Sequence, residues 1–499
     1  MDAPVVETAG GRVAGVRDGR GVMSFHGIPF AQPPVGPLRF LPARPAAPWT
    51  GVRDGSLPAS LAPQTLTPIE RLAGATESQL SENCLYLNVW TADCQGQAPV
   101  LLWVHGGAFL NGGGSIPWYD GASLASRHGV VVVTFNYRLG ALGFTHLAER
   151  GGERYAGSGN AGLSDQVAAL RWVAGNVGAF GGDPGRICVV GESAGAMSVG
   201  ALLGVPEARD LLSAAVLQSG ACANTMDRES ASRTTARLFE SAGIPPDDVA
   251  AFARLPLDTL LAAQAALAAD HPSGMPLGPV VDGVMLVADP LDAVRSGDAR
   301  SIPLVIGTNR EETLLFGLLD PSLASLTEES LTARVTELFG ADTPDALAAY
   351  RTSVELPTPA RLWGAIMDDR IFRVPAARLA EACFDAGGSC WSYLFEWRSP
   401  AFGGILGACH GLEVPFVFDN LDQPGVEAFT GAGADRQRIA TAMASAWTSF
   451  AGGGEPAGCG LPRWPRYAPP GRSTMLLGEE CRVEDDPLGE LRRLWDDRA

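Results

Sequence analysis

The 499-residue chain is 46% hydrophobic and 18% charged, a balance that suits a protein with a sizeable core and excludes disorder over most of its length. Its formal charge of -18, with no run rich in basic residues, repels phosphate backbones and anionic lipid headgroups, so nucleic acid is not an expected partner. The start, MDAPVVETAGGRVAG, lacks a basic segment followed by an unbroken apolar run, and no stretch approaches the ~18 apolar residues of a membrane span. The expected setting is therefore cytoplasmic, with no membrane attachment.

Along the chain, short β-branched runs at 100–104, 130–135, 187–190, 214–217 and 302–306, and a further one at 393–395, are nearly continuous in apolar residues. That pattern predicts parallel strands buried on both faces. Helical stretches at 164–176 and 197–203 lie between them, and the alternation predicts a doubly wound α/β sheet. The segments 227–267 and 327–383 are rich in Ala, Leu, Glu and Arg at helical spacing and read as helical insertions over the carboxyl edge of that sheet. Proline-rich patches at 33–48 and 462–470 read as ordered surface connections. Nine cysteines are scattered without a CxxC pair, which predicts neither a zinc ribbon nor a dense disulfide framework; most are expected to be reduced and packed, the odd number leaves at least one free thiol, and a small loop closed by Cys84 with Cys94, or Cys383 with Cys390, is the alternative.

The sequence Gly191-Glu192-Ser193-Ala194-Gly195 directly follows the apolar run RICVV and directly precedes the helical pattern AMSVGALLG. In a chain with 61 glycines the five-residue pattern alone is weak, but this placement is what a nucleophile elbow needs: a sharp turn that holds the serine hydroxyl at the sheet edge. A serine hydroxyl requires a nearby base, usually histidine. Of six histidines, His26, His105, His128 and His146 precede the serine and are excluded by the chain order Ser, acid, His of this architecture. Between the remaining two, His271 sits in a turn-like ADHPSG stretch. His410 follows the strand SYLFEW in a loop of small residues, GACHGLEVPFVF, and is the better base. The carboxylate that orients an imidazole should emerge beyond a strand between Ser193 and His410. The run IPLVIGTNREETLLF offers both Glu311 and Glu312, and pattern does not separate them. The loop His105-Gly106-Gly107-Ala108, together with the start of the helix at Ala194, supplies free backbone N–H groups suited to an oxyanion; His105 itself reads as structural.

Together these motifs resemble the type-B carboxylesterase family, which includes bacterial para-nitrobenzyl esterases and the cholinesterases. The likeness is carried across nearly the whole chain by FHGIPFAQPPVGPLRF (25–40), SENCLYLNVW (81–90), HGGAF (105–109), NYRLGALGF (136–144), GNAGLSDQVAALRWV (159–173), FGGDP (180–184), GESAG (191–195), LQSG (217–220), GTNREE (307–312) and CHGLEVPFVF (409–418). The resemblance implies an α/β-hydrolase fold: one catalytic domain over 1–499 with a large, mostly parallel central sheet flanked by helices, and mainly helical insertions at 221–300 and 315–385 as gorge walls. It implies a serine hydrolase cleaving carboxylic esters, with Ser193, Glu312 and His410 as catalytic residues and Gly106, Gly107 and Ala194 as oxyanion donors. Ser219 and Glu192 are implied to support the triad, and Glu82 with Arg138 to form a buried ion pair. Thr313 stands where the family usually has glycine. Ala108, Phe109, Leu110, Leu315 and Phe316 flank the catalytic motifs and are expected to line the substrate site. No metal or organic cofactor is needed, the expected partner is a small-molecule ester, and a monomer or weak homodimer is expected. Related chemistry on carbamates, amides or lactones is the alternative, and a non-catalytic binding protein of this fold the more distant one.

Overall fold

The computed structural model describes residues 3–271, 274–496 and 498. Among them, eleven strands form the main sheet: Val16–Arg17 (β1), Met23–Pro29 (β2), Tyr86–Thr91 (β3), Ala98–Val104 (β4), Val131–Phe135 (β5), Gly182–Glu192 (β6), Ala214–Gln218 (β7), Leu304–Asn309 (β8), Cys390–Phe395 (β9), Ser473–Leu477 (β10) and Arg482–Asp485 (β11). Their order across the sheet is β11-β10-β9-β8-β7-β6-β4-β5-β3-β2-β1. The consecutive strands from β10 to β5 are parallel, and the strands beyond them at both ends pair antiparallel.

Every apolar run read as a strand lies in this parallel centre. Side chains of β4 alternate between the two faces: Val100, Leu102 and Val104 join one core cluster, Leu101 and Trp103 the other. Because helices cover both faces, both sets are apolar and the run is continuous. The strand expected at 302–306 starts and ends later, at Leu304–Asn309, so it delivers Gly307, Thr308 and Asn309 to the sheet's carboxyl edge. The flanking antiparallel strands lack this signal: Met23–Pro29 mixes buried with half-exposed positions, and Arg482–Asp485 is almost wholly polar and exposed.

Helices Ala161–Asn176 (α1) and Ala194–Leu203 (α2) begin three residues before the stretches read from the sequence. The described residues of 315–385 are mainly helical, whereas those of 221–300 are helical over only about half their length and include one short parallel pairing of Met226–Asp227 with Val280–Val281. The longer helices of the second segment pack around Leu331, Tyr350 and Ile366, with Trp495 from the chain's end closing that cluster. Among the described residues no helix is long and apolar enough to cross a membrane.

One expectation is corrected. Glu82 and Arg138 do not pair with each other. Arg138 instead forms a fork with Asp165 on α1, Nε to Oδ2 at 2.8 Å and Nη2 to Oδ1 at 2.7 Å, while Glu82 takes Arg39 Nε at 2.9 Å. The reason is that α1 lies directly against the NYRLG loop: the Arg138 backbone N–H also bonds Asp165, and its guanidinium reaches the Ala161 carbonyl. All nine cysteines are free thiols, in keeping with the reduced state expected of most of them, and neither small loop is closed. β3 runs between Cys84 and Cys94 and holds them apart.

Arg138 and Asp165 are 2% and 0% exposed, so removing one partner leaves a charge that nothing inside the protein compensates. Asp165→Ala should destabilise the fold by about 3–5 kcal/mol. Glu82→Ala, at a pair open to water on one side, should cost much less. Equal midpoints for the two variants in chemical denaturation would contradict this ranking.

Candidate active site

The elbow is built where β6 runs into α2. Ser193 has φ 56° and ψ -127°, a conformation that side chains adopt only when their surroundings enforce it. Gly195 supplies the enforcement: a Cβ there would collide with the backbone carbonyl of Val104 at the end of β4, so helix and strand approach to a distance only glycine allows. The Ser193 N–H donates to the Gln218 carbonyl at 2.9 Å, which ties the turn to β7. Ser193 is 8% exposed, so little of it is open to solvent.

The next loop over is the glycine-rich one after β4. Gly107 has φ 109°, and a Cβ on it would strike the Asn111 carbonyl; a Cβ on Gly106 would lie 2.9 Å from that of Ser193. The backbone N–H groups of Gly106, Gly107 and Ala194 donate to no protein acceptor among the described residues. His105 is stacked on Tyr137 with ring centroids 4.4 Å apart, and burial lowers its pKa to about 4. It is a neutral core residue, in keeping with its structural reading.

His410 comes from the loop after β9. Its Nδ1 lies 2.8 Å from Glu312 Oε2, and since a carboxylate only accepts, Nδ1 carries a proton. Glu312 Oε1 accepts the Asn309 N–H at 2.7 Å, and the Glu312 carbonyl accepts the His410 N–H at 3.1 Å, so acid and base loops are bonded through backbone and side chain alike. Geometry also separates the two glutamates. Glu312 is wholly buried against the imidazole, whereas Glu311 faces outward, paired with Arg398 at 2.9 Å and accepting the Ala408 N–H at 3.0 Å. Thr313, at φ -81° and ψ -4°, is ordinary right-handed backbone, so this loop does not require the family's glycine.

The second imidazole nitrogen, Nε2, lies 3.3 Å from Glu192 Oε1, and no hydrogen bond joins it to Ser193 Oγ in this conformation; such contacts in a free enzyme often tighten only when substrate binds. A third buried carboxylate, Glu413, accepts Asn309 Nδ2 at 2.5 Å and Gln218 Nε2 at 3.1 Å. Burial alone would lower the His410 pKa, but the negative charges of Glu192, Glu312 and Glu413 outweigh it and raise it above 6.5. Glu192 is pushed up by burial and by the charges of Glu413 and Glu312 against the opposing pull of His410, and Glu413 is pushed up by burial and by Glu312.

The remaining expected residues divide. Phe316 is 41% exposed, with its ring 5.1 Å from that of His410. Phe109 is instead a core residue, packed edge-on against Phe144 at 5.2 Å, and Leu315 also packs into a core cluster; Ala108, at φ 55°, and Leu110 remain half-exposed beside the glycine loop. Ser219 is buried at φ 52°, and its hydroxyl has no hydrogen-bond partner, so the support expected from it by hydrogen bonding is not formed here. The β7 end that carries it places its backbone N–H on the Gly307 carbonyl. Sequence reasoning missed Phe372, whose ring lies 4.9 Å from His410, and also Asn309, Gln218 and Glu413. Glu413 alone had a usable signal, three residues after the histidine in the same motif.

The sequence profile of the carboxylesterase family matches residues 2–491. The chain is 38% identical to a para-nitrobenzyl esterase of Bacillus subtilis, over 99% of this chain and 98% of that one, and 36% identical to a fumonisin B1 esterase of Sphingopyxis macrogoltabida, over 93% and 84%. The solved structure of a Geobacillus stearothermophilus carboxylesterase superposes with a TM-score of 0.89 at 42% identity, covering 99% of this chain and all of that one. With an α/β-hydrolase sheet, a strained serine at its carboxyl edge and a full-length match in both sequence and structure, this chain belongs to the carboxylesterase family.

Proposed function

We propose that this enzyme, a serine ester hydrolase by its family, works through an acyl-enzyme on Ser193 with His410 as base and Glu312 as its orienting acid. The observation that carries the reading is the 2.8 Å contact between His410 Nδ1 and Glu312 Oε2, made by a fully buried carboxylate beside the elbow. His410 Nε2 takes the proton of the Ser193 hydroxyl as its oxygen attacks the ester carbonyl carbon; the new oxyanion is held by the N–H groups of Gly106, Gly107 and Ala194. Collapse of the intermediate expels the alkoxide, which His410 protonates. Water, deprotonated by the same imidazole, then releases the acid and restores the serine. Glu312 fixes the tautomer and stabilises the imidazolium formed in each half.

Phe316 and Phe372 flank the imidazole and give the site an apolar wall suited to lipophilic acyl or alcohol groups. The helical segments 221–300 and 315–385 are proposed as the outer walls of the recess within a single catalytic domain. The small-molecule ester partner follows from the family, and a cytoplasmic setting and a monomer or weak homodimer are our expectations. The para-nitrobenzyl ester hydrolysed by the Bacillus relative, as its name states, is a sensible first substrate to try.

An organophosphonate should label the protein once, and peptide mapping should place the adduct on Ser193; an adduct elsewhere would overturn the assignment. Glu312→Gln should lower kcat by about four orders of magnitude through loss of the correct tautomer. Glu311→Gln, which removes the ion pair with Arg398 but keeps an amide oxygen to accept the Ala408 N–H, should leave kcat within a few-fold, and the reverse ranking would exchange their roles.

The base must be neutral, so activity is retained above the His410 pKa and lost as pH falls through it. A fall through roughly pH 6 to 7 is the expectation for an ordinary imidazole. The surrounding carboxylates raise this pKa, so the acidic limb of kcat/KM should lie above the ordinary 6.5, and Glu192→Gln should move it down. A limb that does not move in the variant would show that Glu192 exerts no field on the base.

A further inference from the structure

Helix Pro359–Asp368 (α3) passes into Val374–Asp385 (α4) through a π-helical turn, Asp369–Arg373. Such turns insert a residue into the helical ladder and are frequent at functional sites because they re-aim side chains. Here the turn and its first flanking residue touch both halves of the acid–base couple. Asp368 Oδ1 accepts the backbone N–H of Thr313, the residue directly after Glu312, at 2.7 Å. Four residues on, the Phe372 ring lies 4.9 Å from that of His410. Asp368 and Phe372 are 4% and 3% exposed, so neither contact is diluted by solvent.

The turn is itself clamped. Asp369 Oδ1 accepts Arg373 Nε at 2.5 Å and its Oδ2 accepts the Tyr350 hydroxyl at 2.5 Å; that hydroxyl in turn accepts Trp495 Nε1 at 2.9 Å, and Arg373 Nη1 reaches the Arg310 carbonyl at 3.5 Å. A Cβ on Gly364, one turn earlier on α3, would lie 2.9 Å from Thr313 Oγ1, so the helix is pressed onto the loop. Asp368 is thus a buried carboxylate on a rigid support with no part in the chemistry described above.

We propose that Asp368 is a positioning residue for Glu312: by holding the Thr313 N–H it fixes the backbone from which Glu312 reaches His410, while Phe372 on the same turn holds the imidazole's face. The proposal rests on Glu312 being the catalytic acid. Burial pushes the Asp368 carboxyl up to about 7, against the charge of Arg373 and the hydrogen bond from Thr313, with Glu312 adding to the rise. Charged and neutral forms both keep an oxygen that accepts the Thr313 N–H, and so does an amide. Asn is therefore the conservative substitution, and Ala removes the contact.

The test is a double-mutant cycle on a chromogenic nitrophenyl ester, run below the melting temperature of every variant. Asp368→Ala should lower kcat about 10–100-fold, the scale of a lost supporting hydrogen bond at a functional site, with KM within about two-fold. Asp368→Asn should recover most of the loss. In a Glu312→Gln background, Asp368→Ala should cost little more, because the group it positions is already gone. Full additivity of the two losses, or an alanine variant with unchanged kcat, would overturn the proposal. A Glu312→Gln enzyme with normal kcat would instead refute the assignment of the acid. Should the alanine protein fail to fold, Asp368→Val fills the space without an acceptor and is put through the same cycle.

Discussion

The structure depends most on one close approach, that of Gly195 to the carbonyl of Val104. It lets α2 begin directly over the end of β4, and that forces Ser193 into a positive-φ turn whose hydroxyl projects from the sheet edge. Everything else in the site is arranged around this point. Gly106 and Gly107 follow β4, Ala194 opens α2, and the loops after β8 and β9 bring Glu312 and His410 from the neighbouring strands. A parallel sheet makes this possible because its strands all end on the same side, so loops far apart in sequence emerge next to one another.

The second feature is the crowding of buried carboxylates about one imidazole. Glu192 and Glu413 lie in surroundings that penalise charge, and the network of Asn309, Gln218 and Trp447 satisfies their oxygens only in part: Trp447 Nε1 bonds Gln218, and Gln218 and Asn309 bond Glu413, while one oxygen of Glu192 is left to His410. An imidazolium is the one positive charge at the centre of this group, so the field that raises the resting pKa of His410 also stabilises the cation formed as the serine proton leaves. The π-turn at 369–373 adds rigid apolar packing to the same ring, which keeps water from screening that field.

Legibility followed the physics of each element. The central strands were readable because burial on both faces leaves an apolar run with no polar interruption, and the elbow because strand, small residues and helix follow each other without a gap. Edge strands such as Arg482–Asp485 carry no such pattern, since one backbone edge and most side chains face water. The ion pairs were misassigned because pairing is a matter of which helix lies against which loop, and 27 residues of chain separate Arg138 from Asp165. Phe109 was expected at the substrate site from its neighbours in sequence, yet its positive φ turns the ring into the core against Phe144.

By itself the sequence determined the chemistry available: one serine in an elbow, one histidine at the right place in the chain order, a pair of glutamates beyond a strand, and a glycine loop free to present its amides. Those are local facts, encoded in residue type and spacing. Only the tertiary structure decided which glutamate turns inward, which carboxylates share the imidazole's field, and that a turn at 369–373 reaches the same ring. Such choices are made by contacts between segments 98 residues apart for Glu312 and His410, or 55 apart for Thr313 and Asp368, and side-chain direction there is set by packing, which no single stretch of chain contains.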